Sequence, residues 1–164
     1  MRTPRRGRSS SNKVVPHVAK YFGVVGVLLL GAQLVRFERT NPPVTSDLPA
    51  PAGVHDLLQR ACYDCHSNET RWPWYSAVFP LSWLIHRDVV EGRQRLNFSD
   101  WGDYAEDPGT RSHKLDEIAK AIAEQNMGPW YYRLLHPDAQ LDGPGRATLI
   151  AWVQQELRSD SPSN

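Results

Sequence analysis

Cysteine is scarce in this chain: only two cysteines, Cys62 and Cys65, occur among its 164 residues. Two thiols three positions apart cannot form the disulfide framework that holds small secreted domains together. The length suits one small domain with an appendage. A domain of that size has a thin hydrophobic core, so a bound group that brings its own apolar surface would stabilise it.

Acidic residues are absent from the first 20 positions, which hold six basic side chains: Arg2, Arg5, Arg6, Arg8, Lys13 and Lys20. The remaining residues contain 13 basic and 18 acidic side chains, so no basic stripe for nucleic acid is present there. We therefore predict no nucleic-acid partner. A basic N-terminal segment at 1–20, followed by an acidic remainder, indicates that the chain is oriented across a membrane.

One long apolar run follows the basic head, at 21–35 (YFGVVGVLLLGAQLV). As a helix it would measure about 22 Å, short of the roughly 20 residues that span a bilayer. Extension through Val18 and Ala19, with Lys20 reaching the headgroups, closes much of this gap. We predict a cytoplasmic head at 1–20 and a retained, single-pass transmembrane anchor at 21–35. A cleaved signal peptide is the alternative, and in both cases the rest of the chain is exported to the periplasm or the outer face of the cytoplasmic membrane.

The rest of the chain divides by composition into three parts. Residues 36–52 are rich in proline and small polar residues, which predicts a stiff linker that holds the domain off the membrane. Residues 53–158 are expected to form the folded domain, and residues 159–164 a disordered tail. No stretch alternates with period two, so we predict an all-α fold with long loops.

Helical spacing of apolar residues marks the predicted helices of this domain. Ser82 could cap a helix that ends near Gly92, and Ser112 could cap a later one. Another is expected to follow Asp142. Three apolar faces support the assignment: Val54, Leu57, Leu58 and Ala61; Leu115, Ile118, Ala119 and Ile122; and Leu149, Trp152, Val153 and Leu157.

The segment Cys62-Tyr63-Asp64-Cys65-His66 matches CxxCH, the attachment signature of c-type haem. Two thiols separated by one helical turn can form thioethers with the two vinyl groups along one side of a porphyrin. The next residue, His66, then points its imidazole under the iron. We predict one covalent haem c at Cys62 and Cys65, with His66 as an iron ligand.

Other chemistries fit a CxxC pair, and three remain open. A thioredoxin-like dithiol would require strands, which the pattern lacks. A plain disulfide is a second alternative. A structural zinc site is a third, in which two further histidines would complete the ligand set. The candidates for those two ligands are His55, His86, His113 and His136.

Met127 is the candidate for the sixth iron ligand, because it is the only methionine besides the initiator. It follows the third predicted helix and precedes Gly128-Pro129. A thioether suits haem iron, and His/Met ligation raises the reduction potential. A gap-filling core methionine is the alternative role. His113 and His136 are the next candidates for the ligand.

Aromatic residues are dense just after the motif, in Arg71-Trp72-Pro73-Trp74-Tyr75. We expect Arg71, Trp72 and Tyr75 to form a wall of the haem pocket, with polar groups available to the propionates. Ordinary core packing of a tryptophan-rich loop is the alternative.

The run CYDCHSNETRWPWYSAVFPLSWLIHRDVVEGRQRLNFSDW, with Met127, 131–139 (YYRLLHPDA) and the region of Trp152, resembles a family of small bacterial haem-binding domains. These domains are related to c-type cytochromes and are often membrane anchored. The similarity covers about residues 40–157. It implies a small cytochrome c-like domain with Cys62 and Cys65 as attachment residues. It also implies His66 as the proximal and Met127 as the distal ligand. In the family, proline typically follows the methionine directly, whereas Gly128 intervenes here.

These features predict a membrane-tethered monohaem cytochrome that exchanges single electrons with redox partner proteins. We expect an electron carrier rather than an enzyme, with its acidic domain favouring basic partner surfaces. One alternative is a haem sensor or peroxidase-like module with a labile sixth ligand. The other is a zinc-stabilised interaction domain. The sequence does not indicate an oligomeric state.

Overall fold

The computed structural model describes residues 15–125 and 127–160 and is predominantly helical. No β-strand occurs in these residues; the one isolated bridge joins Ser46 to Asp100. The predicted all-α class is therefore confirmed. The helices are α1 (Val15–Ala32), α2 (Ala52–Ala61), α3 (Tyr63–His66), α4 (Leu81–Arg95), α5 (Gly102–Ala105), α6 (Pro108–Glu124), α7 (Trp130–Leu135) and α8 (Gly143–Asp160). Two short 3₁₀ helices lie at Trp74–Ala77 and Pro137–Ala139.

The hydrophobic core lies where α2, α6 and α8 meet the segment after α4. All three apolar faces expected from the sequence supply core residues, because helical spacing places their buried side chains on one side of each helix. Leu58, Leu115 and Leu149 are fully enclosed. Burial of each such side chain contributes about 1.5–3 kcal/mol. Phe98 and Trp101 complete the core beside Tyr63, whose ring stacks on Phe98.

Three predicted helix boundaries were wrong. Ser82 lies inside α4 and does not cap it, and α4 continues past Gly92 to Arg95. Gly92 does not end the helix; it allows the backbone of Cys65 to pack closely against α4. The later helix begins at Pro108, where Asp107 rather than Ser112 caps it by accepting a hydrogen bond from Thr110 N at 2.8 Å.

The second half of the predicted linker packs against the domain. Leu48 is buried, and its N–H donates to the carbonyl of Phe98 at 3.0 Å. Asn41 donates from its side chain to the carbonyl of Thr70 at 2.9 Å. Residues 41–48 thus belong to the folded domain rather than to a free spacer, because their polar groups and one apolar side chain have partners there.

The two ends of the chain lie partly outside the described residues. The predicted basic head and tail fall largely on 1–14 and 161–164. The first two residues of the predicted disordered tail, Ser159 and Asp160, are instead the last residues of α8, and Asp160 pairs with Arg111 of α6. At the other end, α1 covers most of the predicted anchor and exposes apolar side chains such as Phe22 and Leu30. Among the described helices, none combines the length and apolarity required for a membrane span.

Candidate cofactor site

A cleft of about 720 Å³ opens between the CxxCH turn and α6. Cofactor pockets typically enclose about 300–1,000 Å³, so the volume suits a ligand of cofactor size. Cys62 and His66 lie on one wall, and Met127 lies at its edge. Apolar residues of the walls are Leu96, Phe98, Ile118, Ala121 and Ile122. The rim is charged by Arg95, Lys114, Asp116, Glu117, Lys120 and Glu124, with His113 among them.

The CxxCH segment folds into a single helical turn. The carbonyl of Cys62 accepts hydrogen bonds from the N–H groups of Cys65 at 3.2 Å and His66 at 2.9 Å. The turn packs directly on α4 at Gly92. A Cβ at position 92 would overlap the carbonyl oxygen of Cys65 and lie 3.0 Å from its carbonyl carbon. Only glycine permits this approach of the two backbones.

The imidazole of His66 is held by two backbone carbonyls at the end of α4. Its Nδ1 lies 3.0 Å from the oxygen of Gly92 and 3.1 Å from that of Leu96. A carbonyl oxygen can only accept a hydrogen bond, so Nδ1 carries the proton and Nε2 keeps a free lone pair. Burial lowers the pKa of His66, which favours the neutral ring. A neutral imidazole whose other nitrogen is fixed by a hydrogen bond is the form in which histidine binds metals.

The two cysteines are unpaired thiols on different sides of the turn. Cys62 lines the main cleft, whereas Cys65 lines a smaller pocket with Asp64 and Tyr132. Burial raises the pKa of each thiol to about 12. Both sulfurs therefore carry their protons at neutral pH, which differs from the low-pKa thiolates of redox-active CxxC pairs.

Met127 lies in a short loop between α6 and α7, and 47% of its surface is exposed. Of the loop residues that the structure describes, Gln125 with φ 53° and Gly128 with φ 73° are left-handed. The glycine that departs from the family pattern thus occupies a backbone conformation that favours glycine. Met127 is brought to the same cleft as Cys62 and His66.

The three residues expected to wall the pocket lie away from this cleft. Arg71 donates to Asp64 Oδ1 from its backbone N–H at 3.0 Å and from Nε at 3.3 Å. Trp72 donates from Nε1 to the side chain of Asn41 at 3.1 Å. Tyr75 has its hydroxyl 3.3 Å from the ring of His136 and lines the smaller pocket, as Arg71 does. Their contact with a cofactor stays a prediction.

The histidines proposed as zinc ligands are dispersed. The described residues contain no group of three or more His, Cys, Asp and Glu side chains that could hold a metal ion. His55 pairs with Asp47, and His86 lies 3.1 Å from the carbonyl of Glu38. His136 stacks on Tyr132, whereas His113 lines the cleft. This arrangement does not support a Cys₂His₂ zinc site.

Sequence reasoning missed the residues that orient the site. Gly92 and the carbonyl of Leu96 hold His66, and Asp64 links the turn to Arg71 and Tyr132. A backbone carbonyl has no sequence signature. The one available signal was a glycine within a continuous helical pattern, which points to close packing.

Comparison with known proteins identifies one family. A protein-family model described as a haem-binding domain matches residues 27–155. This match covers most of the chain, including the whole cleft and the CxxCH turn. No curated protein and no solved structure matches the chain.

Proposed function

We propose that this chain, which belongs to the haem-binding domain family, holds one haem in the cleft beside Cys62 and works as a c-type electron carrier. His66 would be the proximal ligand, Met127 the distal ligand, and Cys62 and Cys65 the attachment residues. The helical domain would then be a small cytochrome c-like one. When bound, haem supplies a one-electron iron couple.

The orientation of His66 carries this proposal. Two carbonyls fix the protonated Nδ1, so the unprotonated Nε2 is left to bind iron. His66 lines the cleft, so this nitrogen is within reach of a ligand bound there. The cleft beside His66 also has the volume and apolar walls that a porphyrin needs.

The thiols fit covalent attachment, because thioether formation consumes thiols and needs no oxidant. Each thiol would supply its sulfur to one carbon of a haem vinyl group and its proton to the other. Cys62 already faces the cleft, whereas Cys65 has to turn its side chain toward it. Attachment through Cys62 is therefore expected to be faster than attachment through Cys65.

Electron transfer requires that both axial positions be filled and stay filled. His66 and Met127 line one cleft and would occupy the two positions, an arrangement that raises the reduction potential. No proton-transfer group is needed for this reaction. The charged rim around Arg95 and Lys114 would help to select redox partners, an effect that salt weakens.

Membrane tethering through the N-terminal segment is part of the proposal. The apolar side chains of α1 are exposed, with Tyr21 at 72% and Leu30 at 72%. Their burial in a bilayer, with the basic residues of 1–20 left in the cytoplasm, would place the haem domain on the outer face of the membrane.

A second candidate function is gas sensing or peroxidase-like chemistry at an open iron position. The 47% exposure of Met127 favours this alternative, because few packing contacts hold an exposed ligand in place. The alternative requires the same haem and the same His66.

The test is an optical spectrum of the full chain, oxidised and reduced, produced with a cytochrome c maturation system. Haem that stays on a denaturing gel, sharp reduced bands and a near-infrared sulfur-to-iron band would support the carrier. Covalent haem with a high-spin spectrum would favour the second candidate. A colourless protein after maturation would reject both.

A further inference from the structure

The loop that carries Met127 is attached to a helix whose position is fixed by two phenols. Met127 is separated from α7 only by Gly128 and Pro129. Pro129 is the N-cap residue just before the helix and has φ −59°. The carbonyl of Pro129 accepts hydrogen bonds from the N–H groups of Tyr132 at 3.0 Å and Arg133 at 3.1 Å. With so short and restrained a connection, the place of Met127 follows the place of α7.

Tyr132 ties α7 to the attachment turn itself. Its hydroxyl donates to Asp64 Oδ2 at 2.7 Å, and Asp64 lies between the two cysteines of the motif. Only 8% of Asp64 is exposed, and its other carboxylate oxygen accepts from Arg71. The ring of Tyr132 stacks on His136 with centroids 4.2 Å apart, which fixes the direction of the phenol.

Tyr131, the preceding residue, ties α7 to α4. Its hydroxyl donates to Asp88 Oδ2. Asp88 lies one turn before Gly92, the residue that seats the attachment turn and accepts from His66. The two adjacent tyrosines of α7 thus bind to two separate elements, the CxxCH turn and α4, which together position His66.

We propose that Tyr131 and Tyr132 are positioning residues that hold Met127 at the cleft through α7 and Gly128-Pro129 and thereby set how readily the sixth iron position opens. This inference rests on the proposed function, in which Met127 is the distal ligand. The carboxylates of Asp88 and Asp64 are on the elements that hold His66, and the phenols are on α7, which follows Met127 directly. The two hydrogen bonds therefore connect the parts that must separate for Met127 to leave.

A simple packing role for the two rings is the competing explanation. Tyr→Phe substitutions separate the explanations, because they keep the ring and remove only the hydroxyl. Leu134→Ala is the matched control: Leu134 lies on the same helix, and 73% of it is exposed.

The experiment measures carbon monoxide binding to the reduced, haem-loaded full chain, for which Met127 must first leave. We expect the binding rate to rise about tenfold in Tyr132→Phe and in Tyr131→Phe, the change that loss of one hydrogen bond to a charged group can produce. The double variant should bind faster still and lose the sulfur-to-iron band, whereas Leu134→Ala should match the wild type. The reduction potential should fall along the same series.

The outcomes distinguish this inference from the proposed function. A wild type with a sulfur-to-iron band and slow carbon monoxide binding, combined with unchanged Tyr→Phe variants, would overturn the inference alone. A wild type without that band would overturn Met127 ligation and the inference with it. Unfolding midpoints of the variants show whether faster carbon monoxide binding comes from the release of Met127 or from general destabilisation. An equal rise of the binding rate in Leu134→Ala would also contradict a specific role of the two phenol hydroxyls.

Discussion

His66 Nδ1 lies 3.0 Å from the carbonyl oxygen of Gly92, the residue whose missing side chain lets the backbone of Cys65 pack against α4. One position of α4 therefore seats the CxxCH turn and orients the imidazole of His66. These two roles are linked, because the carbonyl reaches His66 only when the two backbones are this close. The position of His66 in the cleft depends on the absence of one methyl group.

Gly92→Ala is expected to damage both stability and haem binding. The added Cβ would overlap the carbonyl oxygen of Cys65, which is backbone and cannot turn aside. Overpacking of this kind costs about 1–3 kcal/mol. Urea unfolding and the amount of haem retained per chain measure the two effects.

Gly53→Ala is the control for that substitution. Gly53 lies in α2, and a Cβ there would meet no atom within 4 Å. Because Gly53 is the second residue of α2 and not in its middle, replacement by alanine should stabilise the protein by no more than about 0.5 kcal/mol. If Gly92→Ala behaved like Gly53→Ala, the close packing of the turn on α4 would not be a requirement for the site.

The two cysteines are expected to contribute unequally to attachment. Cys62 faces the cleft, whereas Cys65 faces the smaller pocket. Cys62→Ala should therefore lose most of the haem that survives a denaturing gel, and Cys65→Ala should keep a larger share. The double variant should retain haem only in the native state, because His66 and the cleft remain. Gel haem staining and intact mass measure attachment, and equal losses in the two single variants would contradict the predicted order.

The sequence was sufficient for the helices with one-sided apolar spacing and for the CxxCH turn. Leu58, Leu115 and Leu149 were predicted from spacing alone and are all fully enclosed. This agreement has a physical cause: a helix that packs on one side must repeat its apolar residues every three or four positions. The motif is equally local, since the hydrogen bonds from Cys65 and His66 to the carbonyl of Cys62 close within five residues.

The parts that escaped prediction depend on contacts between distant segments. From the sequence, Gly92 predicts a helix end, because its close contact with the backbone of Cys65 is visible only in the tertiary structure. The segment around Asn41 reads as a linker because its composition is polar and proline-rich, although Arg93 Nη2 donates to the Asn41 side chain at 3.2 Å. Polar residues with such distant partners have no periodicity, so tertiary contacts alone reveal them.

Met127 and His113 line the same cleft, and substitution can separate their roles as sixth ligand. Met127→Ala should keep the haem, lower the reduction potential and open the iron to carbon monoxide, because a thioether ligand raises the potential. His113→Ala should change none of these, since His113 lies on the exposed rim beside Glu117. Redox titration and optical spectra of both variants provide the measurement. Loss of the low-spin spectrum in His113→Ala alone would assign the ligand to His113.

Stability should fall at alkaline pH because of Tyr131. Burial, with the hydrogen bond to Asp88, raises the pKa of Tyr131 from 10.0 to about 12. Between these two values the unfolded chain has lost the phenol proton, whereas the folded chain still holds it. Rising pH therefore favours the unfolded state across this window, and the contribution of Tyr131 is fully present only below the lower value. The free energy of unfolding in urea, measured in steps across the window, tests this.

Tyr131→Phe isolates the contribution of that phenol from the rest of the alkaline titration. The variant should be less stable than the wild type at neutral pH, because Asp88 loses a hydrogen-bond donor, and the difference should shrink as the pH rises through the window. Trp130→Phe, at the neighbouring and exposed position of α7, removes no titrating group and should show a constant difference. A gap between wild type and Tyr131→Phe that stayed constant up to pH 12 would mean that the folded protein does not hold the phenol proton.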